Sequence, residues 1–307
     1  MRKRSLDMVY ELAKKDERIV FIGSDLGAGT LDNFRKEIPS RFFMEGVSEQ
    51  NIVGMAAGMA LEGRIVYVNT IATFLTRRCF EQVVLDLGLH NVNVRLIANG
   101  GGVVYAPLGP THLAIDDIAI MRAVPNMTIV APSDAEEMTR LMAQTVEHKG
   151  PMYIRLGKGG DPVVSRPEHP FTIGKAIAMT AGSDVLLVTT GITLKIGLEA
   201  AEALKAGGVG VTVLHMHTVK PLDTEALLSH ASTARAIVTI EEHTIMGGLG
   251  GAVAEILAEA GTLSARRFKR IGLPDVFPHG YGSQASMMQH YGITTEQTVA
   301  TVNELLK

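Results

Sequence analysis

Gly46-Val47-Ser48-Glu49-Gln50-Asn51-Ile52-Val53-Gly54-Met55-Ala56-Ala57-Gly58-Met59-Ala60 is the most informative stretch of the chain. Ile52, Met55 and Met59 recur at helical spacing, so Ser48 to Leu61 reads as a helix. Glu49 stands at its start, where the helix macrodipole favours an anion. Gly54, Ala57 and Gly58 are small enough to let another backbone approach closely. The pattern alone leaves two readings: a helix packed on a sheet with an exposed Glu in its first turn, or a carboxylate placed for function.

Strands and helices alternate on both sides of this segment. Arg18 to Gly23, Arg64 to Thr70, Val94 to Ala98, Met127 to Ala131 and Met152 to Leu156 read as buried strands. Thr73 to Leu87 and Leu113 to Arg122 read as helices, and Ser133-Asp134-Ala135-Glu136 as a capping box opening another. A glycine-rich loop runs from the strand ending at Ala98 to His112. Gly157 to Pro170 is rich in Gly and Pro and opens an interdomain linker. A second series follows, with strands at Asp184 to Thr190, Val211 to Met216, Ala236 to Ile240 and Phe268 to Ile271. Its helices are Thr193 to Lys205, Gly248 to Ala260 and Thr294 to Leu306. The expectation is an α/β protein of two domains, each a mainly parallel sheet flanked by helices. The division expected is 1–160, a linker at 161–180, and 181–307.

Composition narrows the class. The 307 residues are 46% hydrophobic and 20% charged, enough for two packed cores. Lys+Arg 29 against Asp+Glu 32 leaves no basic excess for general nucleic-acid binding. A single cysteine, Cys79, excludes an internal disulfide and a Cys-cluster metal site, and fits a cytoplasmic protein. The N-terminal Met1 to Lys15 is basic but lacks the apolar run of a signal peptide, and no run of about 18 apolar residues is present.

The quoted helix resembles the pyrimidine-domain motif of the transketolase family of thiamine-diphosphate enzymes. Other segments agree in order along nearly the whole chain. Thr70-Ile71-Ala72-Thr73-Phe74 resembles the family's Thr-Phe-x-x-Phe segment, with Ile71 in place of the site's first phenylalanine. Gly109-Pro110-Thr111-His112 is similar to its substrate-channel motif, followed by the acidic pair Asp116-Asp117. Val130 to Asp134, Tyr153 to Gly157, Thr218 to Asp223 and Glu241 to Gly250 also fit.

The resemblance implies roles. Glu49 would hydrogen-bond N1′ of the aminopyrimidine and promote the imino tautomer that removes the C2 proton, the protein supplying position and electrostatics. Phe74 would stack on the ring, with Ile71 and Arg78 completing the cofactor pocket. Glu49 and His112 would be the catalytic pair, His112 lining the channel and donating to substrate oxygens or assisting proton transfer. Arg155 matches an arginine that contacts the substrate's distal anion; its plain reading is a strand-end surface charge or an interface salt bridge. His243 is assigned a structural or subunit-contact role. Gly247 to Gly251 resembles a phosphate-cradling loop, with close domain packing as its plain reading.

Half of the cofactor site is missing. The superfamily holds Mg²⁺ and the diphosphate with Gly-Asp-Gly and an Asn about 25–30 residues later, oxygen ligands for a hard cation. Here Gly160-Asp161 is followed by Pro162, and after Asn126 the next asparagine is Asn303. The expectation is the C-terminal subunit of a split transketolase with no metal ligands of its own. An N-terminal, diphosphate-binding partner would carry Mg²⁺ and share thiamine diphosphate in an α₂β₂ heterotetramer.

The substrate channel also departs from the family. Gly100 and Leu108 stand where sugar-phosphate transketolases carry a His and an Asp, and Leu108 has no polar atoms for the Asp's task. Gly27 to Asn33 lacks the basic residue common in split transketolases. These changes point to two-carbon ketol transfer on a modified sugar or to a different acceptor. The alternatives are the β subunit of a 2-oxo acid dehydrogenase, a 1-deoxyxylulose-5-phosphate synthase-like fragment, a non-catalytic assembly subunit and, least favoured, a plain small-molecule binding module.

Overall fold

The computed structural model describes residues 1–24, 29–157 and 159–307. It contains two mixed sheets of mostly parallel strands. The first has seven strands in the order β10-β5-β6-β4-β3-β1-β2. These are β1 (Ile19–Gly23), β2 (Phe42–Met44), β3 (Ile65–Ile71), β4 (Val94–Asn99), β5 (Thr128–Val130), β6 (Met152–Arg155) and β10 (Thr218–Lys220). The second runs β12-β11-β8-β9-β7, made of β7 (Ile177–Ala178), β8 (Val185–Thr189), β9 (Val211–His215), β11 (Ala236–Thr244) and β12 (Arg267–Leu273).

Alternate residues of the central strands face opposite cores, as the period of a strand requires. Val20, Ile22, Val66, Val68, Val94 and Leu96 pack on one side with Ile52, Val53 and Ala56 of helix Glu49–Leu61. Ile19, Phe21, Ile65, Tyr67 and Ile97 pack on the other with helices Arg2–Lys15 and Ala135–Gln144. Covering both faces lets these strands be continuously apolar. In the second sheet, Val185, Leu187, Val213 and Ile240 face helices Thr193–Ala206 and Thr295–Leu306. Leu186, Val188 and Ile237 face helices Thr224–Thr233 and Leu249–Glu259.

The two halves are interlocked. Strand β10, from the segment expected in the second domain, pairs antiparallel with β5 and completes the first sheet. Val103, Ala106 and Leu113 of the first domain's glycine-rich loop are buried in the core of the second.

Several local expectations change. The expected helix Thr73–Leu87 is broken into Ala72–Thr76, Phe80–Gln82 and a wide π-type turn at Val83–Leu89. Thr76 Oγ1 bonds back to the Ala72 carbonyl, and Cys79 Sγ donates to the Phe74 carbonyl at 3.0 Å. Such side-chain bonds compete with the backbone ladder. The helix expected from Leu113 starts at Asp117, because Ala114 exchanges backbone bonds with Gly102 at 2.9 and 3.0 Å. The cap moves by one residue: Asp134 accepts from Glu136 and Glu137, while Glu137 accepts from the Ser133 amide. Helix Arg2–Lys15, which buries Leu6 and Val9, was not expected.

Candidate active site

Parallel strands deliver their C-terminal ends to one edge of a sheet, where ligands of open α/β sheets gather. Ser24 follows β1, Glu49 opens the helix after β2, Ile71 ends β3, and the glycine-rich loop leaves β4. Glu49 is 1% exposed. Its Oε1 accepts from the Ser24 hydroxyl at 3.3 Å, and its Oε2 meets Arg78 Nη1 at 2.7 Å. The same guanidinium lies over the Phe74 ring, 4.2 Å from its centroid. The His112 ring meets Phe74 edge-on at 5.3 Å. Glu49, Arg78, Phe74 and His112 therefore form one continuous cluster, and half-buried Ile71 ends β3 just before the helix that carries Phe74.

The neighbouring residues hold this cluster rather than extend it. Arg77 bonds the Thr73 hydroxyl and donates to the Leu113 carbonyl at 2.9 Å, tying the Phe74 helix to the loop of His112. Thr111 Oγ1 lies 2.9 Å from His112 Nδ1. Burial, and next the Glu49 charge, push the Cys79 thiol up to about 12, so it packs and does not react.

The residues named for substrate fall into two places. Gly100 has φ +73°, and a Cβ there would overlap the Tyr105 ring. Tyr105 thus fills the space beside Gly100, and sequence reading missed it because the overlap exists only in three dimensions. Half-exposed Leu108, Gly100, Tyr105, Asn99 and Arg2 line a cavity of about 290 Å³. Gly27 and Ala28, part of the segment read as lacking a basic residue, lie outside the described residues.

Arg155 is not brought to the cluster. It is 6% exposed, and Nε donates to Asp117 Oδ2 at 2.8 Å. Nη2 donates to the carbonyls of Glu242 at 2.8 Å and Ala114 at 3.3 Å. Tyr153 Oη also donates to Asp117, at 2.8 Å. Burial opposes the Arg155 charge most, but Asp117 and Glu242 together outweigh it and leave its pKa raised. The ion pair with Asp117 lies within the first domain, and the bond to the Glu242 carbonyl crosses to the second.

Two acids and one imidazole of the second domain lie beside these groups, and Glu242 and His243 reach across to the first. Glu242 Oε1 accepts from the Val103 amide at 2.8 Å and from Gln284 at 2.9 Å. His243 donates from Nδ1 to the Thr244 carbonyl at 2.7 Å and accepts at Nε2 from the Ala119 amide at 3.3 Å. The glycine-rich turn Gly247 to Gly251 is filled from within: Glu241 accepts from Leu249 N at 2.7 Å and Gly250 N at 2.9 Å. An internal carboxylate thus takes the helix N-terminus that a phosphate would need.

The pyrimidine half of a thiamine site fits these residues. A buried carboxylate stands beside an aromatic face already covered by a planar group. Among the described residues no group of three or more His, Cys, Asp or Glu is gathered as a metal site. No helix among them is long and apolar enough to cross a membrane.

Residues 1–160 match the family model described as transketolase, pyrimidine binding domain, and residues 174–298 that described as transketolase, C-terminal domain. The chain is 35% identical over 306 residues to 6-deoxy-6-sulfo-D-fructose transketolase subunit SqwH of Clostridium sp. (strain MSTE9), covering 99% of this chain and 94% of that one. It is 36% identical over 308 residues to an apulose-4-phosphate transketolase subunit of Phocaeicola vulgatus, covering 100% and 97%. A solved structure described as split gene transketolase, inactive beta4 tetramer, superposes with a TM-score of 0.90 at 36% identity, over 99% of this chain and 97% of the other. With a family model covering more than half of its length and relatives matching from end to end, the chain belongs to the transketolase family.

Proposed function

We propose that this chain is the pyrimidine-binding subunit of a split transketolase that moves a two-carbon ketol unit from a ketose to an aldehyde. The observation that carries the reading is the buried Glu49 carboxylate beside the Phe74 face, with His112 against the same ring. Thiamine diphosphate, when bound, supplies the carbanion chemistry that breaks and remakes the carbon–carbon bond. Glu49 holds the pyrimidine ring through its ring nitrogen and sets its protonation. Phe74 and Ile71 fix the ring's plane. His112, edge-on to Phe74, faces the sugar and holds or moves a proton on its oxygens.

The chain acts only with an N-terminal partner that binds the diphosphate and Mg²⁺, as an α₂β₂ assembly. The absent Gly-Asp-Gly…Asn motif supports this, and so does the description of its structural neighbour as an inactive β4 tetramer. The substrate is a modified sugar, in keeping with Gly100 and Leu108 in the channel and with relatives named for sulfofructose and apulose phosphate. A cytoplasmic setting accords with one unpaired, buried cysteine.

The test is reconstitution with a co-encoded partner that carries the missing motif. Glu49→Gln should lower ketol transfer by about 10²–10⁴-fold, the usual span of acid–base catalysis, with the complex still assembled. Little change would leave this chain an assembly subunit. Full activity of the purified chain alone would remove the partner from the scheme.

A further inference from the structure

Arg78 occupies the place between Glu49 and Phe74. An aminopyrimidine ring needs two things there: a hydrogen bond to the Glu49 carboxylate and a place on the Phe74 face. Arg78 makes both contacts with one group, 2.7 Å to Glu49 Oε2 and 4.2 Å to the Phe74 centroid. A guanidinium is planar, delocalised and an N–H donor, so it shares with the ring the properties that the slot selects. We propose that Arg78 is a built-in stand-in for the aminopyrimidine ring, and that cofactor entry exchanges one planar donor for the other.

The asymmetry of burial says which partner moves. Glu49 is buried, and its only other side-chain donor among the described residues is the Ser24 hydroxyl at 3.3 Å. A buried carboxylate stripped of its pair is strongly disfavoured, so an empty slot needs an occupant. The Arg78 side chain is 41% exposed and can swing its charge into water without crossing an apolar layer. It also lies where the broken helix changes course, between Ala72–Thr76 and Phe80–Gln82. One face of the Phe74 ring cannot carry guanidinium and pyrimidine together. Arg78 therefore competes with the cofactor at this slot instead of holding it there.

This rests on the proposed function, and the test separates the two. Binding of 4-amino-5-hydroxymethyl-2-methylpyrimidine to the full chain is measured by calorimetry, with folding checked by thermal melting. Arg78→Ala should bind the pyrimidine at least tenfold more tightly than the wild type. Millimolar guanidinium chloride, far below denaturing levels, should compete with the pyrimidine in Arg78→Ala by refilling the vacated position. Arg78→Met, which keeps the stem without the planar cation, should behave like Arg78→Ala and serves if the alanine variant misfolds. Adding Glu49→Gln to Arg78→Ala should abolish pyrimidine binding. Binding by Arg78→Ala and Arg78→Met that is equal to, weaker than or absent relative to the wild type overturns the stand-in. If Glu49→Gln leaves tight binding intact, the slot itself has been misassigned and the proposed function fails first.

Discussion

The Tyr105 ring lies across the open side of Gly100, so closely that any side chain at position 100 would overlap its Cε2. Position 100 is closed twice, because its φ of +73° also disfavours any residue with a Cβ. Gly100→Ala should destabilise the chain by about 2 kcal/mol or more, the cost of strained backbone plus overlap. Tyr105→Ala in the same chain should relieve the overlap and leave the backbone part. Urea midpoints of the two single variants and the double variant read this directly. Strict additivity would mean that the two residues do not compete for one space.

Asp117→Asn should be among the most damaging single changes. It leaves the Arg155 cation, 6% exposed, without its carboxylate and weakens the acceptor for Tyr153. Breaking a buried pair from one side costs about 3–5 kcal/mol. Removing both charges with Arg155→Met should recover much of that loss, since the desolvated cation is then gone. Denaturant unfolding of the single and double variants provides the comparison. A double variant as unstable as Asp117→Asn would show that lost carbonyl contacts of Arg155, not its unpaired charge, dominate.

The fold was legible where the signal is local. Apolar runs such as Ile19–Gly23 and Ile65–Ile71 bury every or nearly every residue, and that burial is written into consecutive side chains. Glu49, Phe74 and His112 were singled out by their resemblance to family motifs and not by periodicity, and the fold brings all three to one cluster through Arg78 and the Phe74 ring. The setting of Arg155 was not legible, because its partners Asp117 and Glu242 lie 38 and 87 residues away and only packing brings them together. The return of Thr218–Lys220 to the first sheet was hidden for the same reason. Helix Arg2–Lys15 is weakly written in sequence because it buries only Ser5, Leu6, Val9 and Ala13 and carries charge over the rest of its surface.

Two buried imidazoles make the chain sensitive to acid. Burial, and next the neighbouring His215, push His217 down to about 3; burial pushes His243 down to about 4. Both stay neutral in the folded chain while the unfolded chain takes up protons below about 6.5. Their contribution is complete above that pH and is lost as pH falls toward the folded values, at about 1.4 kcal/mol per pH unit for each group. His217 stacks on Phe171 at 3.9 Å, so His217→Phe keeps an aromatic partner and cannot titrate. Its melting temperature should fall less steeply between pH 6.5 and 4 than that of the wild type. Parallel curves would mean that His217 is hydrated in solution and takes no part.

Glu242 has the opposite sign and ties stability to the channel loop. Burial raises its carboxyl to about 7 against the pull of Arg155. The folded chain keeps this proton while the unfolded chain loses it above about 4.5, so the contribution is full below that pH and is lost as pH rises through 7. Glu242→Gln keeps an oxygen for the Val103 amide and for Gln284, and removes the titration. The variant should gain on the wild type by about 3 kcal/mol between pH 4 and 8, at about 1.4 kcal/mol for each pH unit between the unfolded and folded values. Glu242→Ala differs in kind, because it leaves the Val103 amide buried without an acceptor, at about 1–3 kcal/mol. Val103 shares its loop with Gly100 and His112, so faster hydrogen exchange at Val103 should accompany a higher KM for the sugar in the reconstituted enzyme. Unchanged exchange at Val103 in Glu242→Ala would show that the apolar anchors Val103, Ala106 and Leu113 hold the loop without the carboxylate.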